Sequence, residues 1–243
     1  MTVLREFLSN FTKVRRTPFV LLHLLPPVVV TALFLTYYAF AGYRIIPDVR
    51  LFFVILQICW PVFAGIIVPI FIHLDSNING IQNALGLVES RSSVYLGKLL
   101  FLLFFSAVSI LLYELCFYVG VHLFPDSGIV KPGFCVIIFL SFLFSNLFLY
   151  LFHVLIAFRF GSSISVLAGI AGTIFAGYFE NAIGDKIWMV IPWEWGVRFL
   201  ESHLGMSDAL VIPGMAALLM ITSMILAISV LWYNRWEGKV IQE

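Results

Sequence analysis

Apolar residues fall along this chain in blocks of about 20, separated by short polar stretches. A helix of that length crosses the ~30 Å hydrocarbon core of a bilayer, because an α-helix rises 1.5 Å per residue. A transmembrane β-barrel would instead show alternating segments of ~10 residues, which the sequence lacks. The pattern predicts six membrane-spanning helices, at residues 19–41, 51–73, 99–121, 133–157, 162–180 and 209–233. We therefore expect an all-α polytopic membrane protein that forms a single domain over residues 1–243.

The polar stretch between the second and third blocks reads LDSNINGIQNALGLVESRSSVYLGK. Apolar residues recur within it every three or four positions, at Ile78, Ile81, Leu85 and Val88. This spacing predicts a short amphipathic helix, which Asp75 or Ser76 can cap by accepting from the free N–H groups of the first turn. A passive spacer needs only a few residues. We therefore interpret residues 74–98 as a loop that docks onto a soluble partner, with a spacer as the alternative.

The first 18 residues have the pattern of a helix that lies on a membrane surface. Their apolar positions recur at helical spacing, at Leu4, Phe7, Leu8, Phe11 and Val14. Polar residues lie between these positions, at Arg5, Glu6, Asn10, Lys13 and Arg15. A helix with one apolar and one basic face binds in the plane of a lipid leaflet. Residues 1–18 are therefore predicted to form an amphipathic helix that leads into the first span.

A second amphipathic stretch, residues 181–208, connects the last two spans. It contains Trp188, Trp193 and Trp195. Tryptophan favours the membrane–water boundary, where its ring is buried and its N–H group is solvated. We interpret these residues as a boundary belt that braces the last two spans. The alternative is that they line an external exit path or gate for a substrate.

Composition supports the membrane class, and the distribution of charge adds an orientation. The chain is 62% hydrophobic and 11% charged, whereas a soluble domain carries about a quarter charged residues. Cytoplasmic loops of membrane proteins carry an excess of Lys and Arg. With six spans, both termini and the 74–98 loop share a side that holds Arg5, Lys13, Arg15, Arg16, Arg91, Lys98, Arg159, Arg235 and Lys239. We therefore predict that both termini are cytoplasmic.

The sequence carries no motif of a catalytic or metal site. It has no G-x-x-x-x-G-K-[ST] phosphate loop, no H-E-x-x-H and no G-x-S-x-G. Its three cysteines lie inside apolar blocks without the paired spacing of a disulfide or metal site, and its five histidines are scattered. We therefore expect no enzyme activity, no catalytic residue, no metal, no cofactor bound to this chain and no nucleic-acid partner.

Glu114 is an acidic residue well inside a predicted span. A charged side chain in hydrocarbon costs roughly 2.5–3.5 kcal/mol on insertion scales, so it must face protein or a water-filled cavity. Two roles remain open for Glu114, namely a hydrogen bond between helices and a part in a substrate path or gate.

The predicted fifth span repeats small residues every four positions. One row holds Ser165, Gly169 and Thr173, and the other holds Ala168, Gly172 and Ala176. Small residues let helix backbones approach closely, which matters because lipid gives helices no hydrophobic reason to associate. We expect Ser165, Gly169, Gly172 and Ala176 to serve helix packing, within the chain or against a second membrane subunit.

Five local patterns, in their order and spacing, resemble one family. They are the RRTPF start of span one, D-x-x-x-x-G-x-x-N-x-L (Asp75, Gly80, Asn83, Leu85), S-R-x-x-x-x-x-x-K (Arg91, Lys98), the FRFGSSISV turn that contains Arg159, and the IPWEW segment. Together with the order of helices, they make the chain similar to the membrane subunits of type-two ABC exporters. In length and local sequence it most resembles the permease of lantibiotic-immunity ABC transporters, the MutG-type subunit.

The resemblance implies a function and a set of partners. Such a permease pairs with a second, often different, permease and with a cytoplasmic ATPase dimer that binds ATP and Mg. The complex expels lantibiotic peptides from the bacterial cytoplasmic membrane and so gives immunity. Coupling to the ATPase is then expected at Asp75, Gly80, Ile81, Asn83, Leu85, Arg91, Lys98 and Arg159. In this interpretation Arg91 pairs with acidic groups of the ATPase or with the phospholipid surface.

Three other functions stay open at this point. The same fold can carry another cargo, such as a lipid, a glycan or a drug. A non-transporting assembly or sensor subunit is a further alternative. A membrane enzyme would need paired Glu, Asp or His residues that face a common cavity, and the sequence gives Glu114 no visible partner of this kind.

Overall fold

The computed structural model describes most of the chain. The described residues are 2–40, 48–86, 90–124, 132–205 and 211–236, without the side chains of 75–86 and Pro132. Within these residues every element of regular secondary structure is helical, which confirms the all-α class. Six of the helices are long and apolar enough to cross a membrane, as the hydrophobic blocks predicted.

The helices follow one another with short connections. In chain order they are α1 (Val3–Val14), α2 (Phe19–Phe40), α3 (Val49–Gly86), α4 (Arg91–Val121), α5 (Pro132–Phe160), α6 (Ser162–Phe179), α7 (Trp195–His203) and α8 (Val211–Arg235). Two 3₁₀ turns, Gly184–Lys186 and Trp188–Val190, lie between α6 and α7. The membrane-length helices are α2, the part of α3 up to Leu74, α4, α5, α6 and α8.

Contacts between helices define two ends of the bundle. At one end, which we call the basal end, Arg91 at the start of α4 donates to the Trp236 carbonyl oxygen just after α8. At the other, the distal end, the rings of Phe34, Phe52 and Phe117 pack together from α2, α3 and α4. Because successive long helices run in opposite directions, the α3–α4 and α5–α6 connections are basal and the α6–α8 connection is distal.

The core lies where α3, α4 and α5 meet, and polar side chains bond across it. Gln57 of α3 donates to the Ser145 hydroxyl of α5 at 2.8 Å, and Asn146 of α5 donates to the Ser106 hydroxyl of α4 at 2.8 Å. All four residues are buried among apolar side chains. A bilayer interior supplies no water for hydrogen bonding, so such groups are stable only when neighbouring helices bond to them.

The polar stretch after the second span is helical, as predicted, but it is not a separate helix. α3 runs without a break through residues 75–86, so the proposed cap at Asp75 or Ser76 is wrong. Extending an existing helix gains one hydrogen bond for each residue that is fixed, whereas a new helix needs a costly nucleus. No proline lies between Leu74 and Gly86 to stop that extension.

The third span also begins earlier than its hydropathy predicted. α4 starts at Arg91 rather than at 99, with the Ser90 hydroxyl accepting from the Ser93 backbone N–H at 3.3 Å. The first part of α4 has a lower hydropathy than the rest because it contains Ser92, Ser93 and Lys98. The hydrophobic pattern therefore predicted a later start. The part of the predicted 74–98 loop from 91 onward is therefore the first two turns of a membrane-length helix.

The N-terminal helix forms where the sequence predicted it, but with a different orientation. Glu6, Asn10 and Val14 are its buried residues, packed mainly against α4. Leu4 and Leu8, which belong to the predicted apolar face, are exposed. The aromatic rings of that face, Phe7 and Phe11, pack against Phe101 and Phe104 of α4, so α1 lies against the bundle rather than alone on a membrane surface.

Candidate functional site

Five of the predicted ATPase-coupling residues lie in the basal extension of α3. They are Asp75, Gly80, Ile81, Asn83 and Leu85. Their backbone is helical, but their side chains lie outside the described part of the chain. The structure therefore places these residues along one continuous helix and leaves their contacts as a prediction.

Arg91 bonds within the chain, although the sequence analysis assigned it to a partner. Its guanidinium Nη1 donates to the backbone oxygens of Asn234, at 3.3 Å, and Trp236, at 2.7 Å. The neighbouring Ser92 hydroxyl donates to the Asn234 side-chain oxygen at 2.8 Å. A cation near a helix C-terminus satisfies carbonyls that lack helical partners. Arg91 therefore fastens the end of α8 to the start of α4.

The structure contradicts the assignment of Lys98 to a docking surface. Lys98 is only 3% exposed, and its ammonium group lies 5.7 Å from the centroid of the Phe71 ring. Opposite it on α1 lies Glu6, which bonds Lys13 at 3.0 Å. A buried lysine cannot contact a soluble ATPase, because α1 covers this part of α4. The physical reason is the position of Lys98 in the second turn of α4, where the sequence predicted a loop.

Arg159 is exposed at the basal connection between α5 and α6. Its guanidinium lies 5.3 Å from the centroid of the Phe160 ring. The connection consists of Gly161 alone, which has a φ of 92°. That backbone conformation favours glycine, because a side chain would be strained there. Arg159 is therefore presented on a short, sharply bent link between two membrane-length helices.

The four small residues predicted to serve helix packing are the buried residues of α6. α6 has its most extensive contact with α3. A Cβ atom on Gly169 would lie 2.7 Å from the Pro61 carbonyl oxygen and 3.2 Å from the Gly65 Cα atom. The backbones of α3 and α6 thus approach so closely that only glycine fits at the crossing. The stripe packs within this chain, against α3.

Glu114 lies on α4 and is partly buried. Its Oε1 atom is shielded from solvent and has no hydrogen-bond partner among the described residues. An unbonded carboxyl oxygen is costly when buried in an apolar surrounding. The geometry therefore leaves both predicted roles of Glu114 open.

The connection between α6 and α8, whose described part is residues 181–205 and which we call the distal segment, folds into the bundle. Trp188 and Trp195 are 1% and 0% exposed. Trp188 abuts Gly214 of α8, and the Trp195 ring lies 5.2 Å from the Phe148 ring of α5. The predicted boundary belt is therefore wrong for these two residues, since both belong to the core. Their burial also removes them from the lining of any path open in this conformation.

Trp193 shows how far the distal segment enters the bundle. Its indole nitrogen abuts Gly172 of α6, and its ring lies 5.9 Å from the Phe152 ring. Phe152 is closer to the basal end of α5 than to its distal end. A connection that dips into a membrane is stable only where protein surrounds its backbone. The distal segment is therefore a re-entrant element, which the sequence pattern of an external loop did not predict.

The helix α7 brings the distal segment to the polar core. Gly196 lies against the Gln57 amide and the Ser145 hydroxyl, and a Cβ atom on Gly196 would lie 2.7 Å from that hydroxyl oxygen. The Trp195 indole N–H donates to the Met189 carbonyl oxygen at 2.8 Å, which holds the turn before α7. These contacts connect the distal segment directly to the hydrogen bond between α3 and α5.

Arg198 is the centre of a buried charge cluster in the distal segment. The residue is 3% exposed. Its guanidinium lies 3.2 Å from Glu194, 2.9 Å from Asp185 and 3.5 Å from Glu201. It also donates to the backbone oxygens of Phe179, at 2.7 Å, and Asn181, at 3.0 Å. We call Arg198 and these three carboxyl residues the Arg198 cluster.

Burial changes the acidity of two carboxyl groups in the Arg198 cluster. Burial raises the pKa of Glu194 to about 8, although the adjacent Arg198 guanidinium opposes the rise. Burial also raises the pKa of Glu201 to about 7, again against the effect of Arg198, and Glu180 adds to the rise. The electrostatics of this site therefore depend on pH near neutrality.

The residues of the Arg198 cluster were not predicted as a site from the sequence. One signal was present, since Glu194, Arg198 and Glu201 are spaced by four and three residues and therefore share a face of a helix. This spacing predicts ion pairs among the three residues but not their burial, because a helix at a lipid surface also gathers its charges on one face. The partners of Gln57 and Asn146 had no local signal, because they lie on other helices.

Comparison with family models, curated proteins and solved structures gave no match. The function is therefore argued from the architecture itself. Six membrane-length helices around a core with hydrogen-bonded polar side chains form a multi-pass membrane protein of transporter-like architecture.

Proposed function

We propose that this chain is the permease subunit of an ATP-driven exporter that expels lantibiotic peptides from the bacterial cytoplasmic membrane. One observation carries the proposal, namely that α3 continues from the membrane through residues 75–86. At 1.5 Å per residue, this extension reaches ~18 Å beyond Leu74. The excess of Lys and Arg on the basal side assigns that side to the cytoplasm. A helix that continues without a break from the membrane into the cytoplasm is a suitable lever for a soluble motor.

The contacts of α3 support transmission of such a movement. Gly65 and Gly169 hold α3 and α6 in close backbone contact, so a shift of α3 must displace α6 or open the crossing. Packed helices transmit strain because protein interiors are close-packed. The exposed Arg159 at the α5–α6 link offers a second basal contact for the same motor.

In this proposal the chain is a transport subunit and hydrolyses no ATP itself. ATP and Mg bind a cytoplasmic ATPase dimer, and a second permease subunit completes the membrane part. Both termini lie in the cytoplasm. Asp185, exposed at the distal end and 58% accessible at its side chain, supplies negative charge on the side where a cationic lantibiotic would leave.

Helix-breaking substitutions in the α3 extension test the proposal. The tagged chain is expressed with its genomic neighbours in a lantibiotic-sensitive bacterium and purified in mild detergent. Gln82→Pro interrupts the extension, while Gln82→Ala is the matched control that keeps it helical, at a position outside the predicted coupling residues. We expect the wild type and Gln82→Ala to co-purify with an ATPase that lantibiotics stimulate, and Gln82→Pro to lose both the ATPase and the protection of cells.

Two results would overturn this function. One is a wild-type preparation without ATPase activity, which would favour a non-transporting assembly or sensor subunit. The other is full protection of cells by Gln82→Pro, which would show that the α3 extension does not act as a lever. A third result would keep the transporter fold but assign it another cargo. In that case the cells are not protected against a panel of lantibiotics, but they are protected against drugs or their lipid export is altered.

A further inference from the structure

The Arg198 guanidinium faces three carboxyl groups and two backbone carbonyl oxygens at once. Its Nε–H faces Glu194, and its two Nη2–H groups are taken by the backbone oxygens of Phe179 and Asn181. The Nη1 nitrogen faces Asp185 at 2.9 Å and Glu201 at 3.5 Å. An arginine carries five N–H donors and a single positive charge. One guanidinium therefore serves three carboxyl groups and two carbonyl oxygens.

Two carboxyl oxygens in this cluster are buried without a hydrogen-bond donor among the described residues. Glu194 is 0% exposed, and its Oε2 accepts from Arg198 while its Oε1 has no hydrogen-bond partner. Because both oxygens belong to one carboxyl group, the unbonded Oε1 lies in the same buried site. The Oε2 atom of Glu201 likewise accepts no hydrogen bond. A buried ionised carboxylate needs compensating donors, and the neutral acid does not.

From these contacts we infer that Glu194 and Glu201 form a proton-binding site that holds the distal segment closed against α6. Arg198 links the two parts, because it bonds the last carbonyl of α6 and, at the same time, Glu194 just before α7. With both carboxyl groups ionised, the cluster holds three negative charges around one positive charge. A bound proton removes part of this excess and lets Arg198 remain on the end of α6.

The surroundings of the site favour a proton over another cation. Arg198 occupies the centre of the three carboxyl groups, where a metal ion or an ammonium group would have to sit. Glu180, just after α6, lies near enough to Glu201 to raise the pKa of Glu201 further. A proton on a carboxyl oxygen needs no additional space.

The other helices that pack against α7 add no acid to the site. These helices are α3, α5 and α8. The described side chains of these three helices include no Asp or Glu. Their described basic side chains are Arg50, His73, His153, Arg159 and Arg235. Arg50 lies over the Phe134 ring and His153 bonds Ser165. The charged groups that face Glu194 and Glu201 are therefore Arg198, Glu180 and Asp185.

The direction of the pH effect follows from where the proton binds. The closed segment binds a proton that the open segment, with solvated carboxyl groups, releases above their ordinary pKa of about 4.3. Closure is therefore strongest at low pH and is lost progressively as the pH rises toward the raised pKa values of the closed state. One proton released on opening changes the opening equilibrium about tenfold per pH unit.

Hydrogen exchange of the intact protein in lipid nanodiscs tests this inference. The protection factors of amides in 181–203 are measured between pH 5.5 and 8.5 and corrected for intrinsic exchange. We expect them to fall about tenfold per pH unit up to pH 7, while amides of α4 keep theirs. Glu194→Gln with Glu201→Gln should remove this dependence. Asp48→Asn, which changes an exposed distal acid outside the segment, should retain it.

Infrared titration gives a second measurement that needs no change in the site. The protein carries isotope-labelled glutamate and Glu114→Gln, because Glu114 is the other described carboxyl with a shielded, unbonded oxygen. We expect a neutral carboxyl band that persists at pH 6 and disappears by about pH 8.5.

Three results would each overturn the inference. The first is amide protection in 181–203 of the wild type that does not depend on pH, and the second is an unchanged pH dependence in the double Gln variant. The third is an infrared spectrum in which these carboxyl groups are fully ionised at pH 6. None of these measurements depends on transport, so the proposed function can fail separately.

Discussion

Two buried asparagines differ in their hydrogen bonds, and this difference makes their roles testable. Asn10 of α1 and Asn146 of α5 are both 0% exposed. The Asn146 amide N–H donates to the Ser106 hydroxyl, although its Oδ1 has no partner, whereas neither polar side-chain atom of Asn10 has a hydrogen-bond partner among the described residues. A buried polar group without a partner costs about 1–3 kcal/mol, while a made hydrogen bond contributes about 1 kcal/mol.

Replacing the two asparagines should therefore have opposite effects. We expect Asn10→Leu to raise the free energy of unfolding by about 1 kcal/mol, because it removes an unbonded amide from an apolar site. We expect Asn146→Leu to lower it by about 1–3 kcal/mol, because the Ser106 hydroxyl loses its partner. Chemical unfolding in detergent measures both. A loss of stability in Asn10→Leu would show that Asn10 has a bonding partner in the membrane.

Arg198 is the single side chain on which the distal segment depends most. Arg198→Leu should lower the free energy of unfolding by about 3–5 kcal/mol at pH 8, because it leaves buried carboxylates without a counter-charge. Arg198→Lys should recover only part of this, since lysine lacks the planar fork that reaches several acceptors. Lys186→Leu, an exposed cation in the same segment, serves as the control, with an expected change within about 0.5 kcal/mol.

The same measurement at two pH values separates charge from packing. The cost of Arg198→Leu should be smaller at pH 5.5 than at pH 8, because the proton bound by Glu194 and Glu201 then reduces the negative charge that Arg198 must balance. An equal cost at both pH values would mean that Arg198 acts through its hydrogen bonds to Phe179 and Asn181 alone.

Among the elements, the crossing of α3 and α6 sets the position of the distal segment. α6 contacts α3 through small residues, and Trp193 of the distal segment fits against Gly172 on the same helix. α3 therefore connects the basal extension to the re-entrant element. A substitution that disturbs the crossing should therefore alter the packing at both ends of the bundle.

Two glycines of α6 give a matched test of this crossing. Gly169→Ala places a Cβ atom 2.7 Å from the Pro61 carbonyl oxygen, whereas Gly177→Ala places one at an ordinary 3.6 Å from Ile58. Both changes add the same helix propensity. We expect Gly169→Ala to cost about 1–3 kcal/mol of unfolding free energy through overpacking. Gly177→Ala should be neutral or slightly stabilising, and an equal loss in both would contradict a tight crossing.

The elements also show where a sequence pattern is sufficient. The cores of the six long helices were predicted within a few residues, because about 20 consecutive apolar residues are stable in a bilayer only as a helix. The start of α4 at Arg91 and the continuation of α3 to Gly86 were not predicted. Hydropathy identifies the part of a helix that lies in lipid, whereas helix ends depend on capping and on neighbouring helices.

At the scale of the whole molecule, the distribution of Lys and Arg predicts how the bundle sits in its membrane. The basal end should face the cytoplasm, because cytoplasmic loops carry the excess of basic residues. Thr12 is exposed on α1 at the basal end, and Lys186 is exposed in the distal segment. These two positions report on opposite sides of the membrane.

Cysteine labelling of intact cells tests the orientation. The three native cysteines are replaced by alanine, and a single cysteine is introduced by Thr12→Cys or Lys186→Cys. An impermeant maleimide should label only the Lys186→Cys protein in intact cells and both proteins after permeabilisation. Labelling of Thr12→Cys alone in intact cells would invert the topology and, with it, the cytoplasmic lever.

The sequence by itself determined the class of protein, the six spans, their alternation across the membrane and the small-residue face of α6. These features follow from local composition and spacing, since a bilayer imposes helix length and a close helix crossing requires small side chains. Only the tertiary structure decided that Lys98 is buried, that Arg91 fastens α8, and that the distal segment enters the bundle around Arg198. Those outcomes depend on contacts between residues far apart in the chain, which satisfy buried charges and carbonyls that no local pattern can pair.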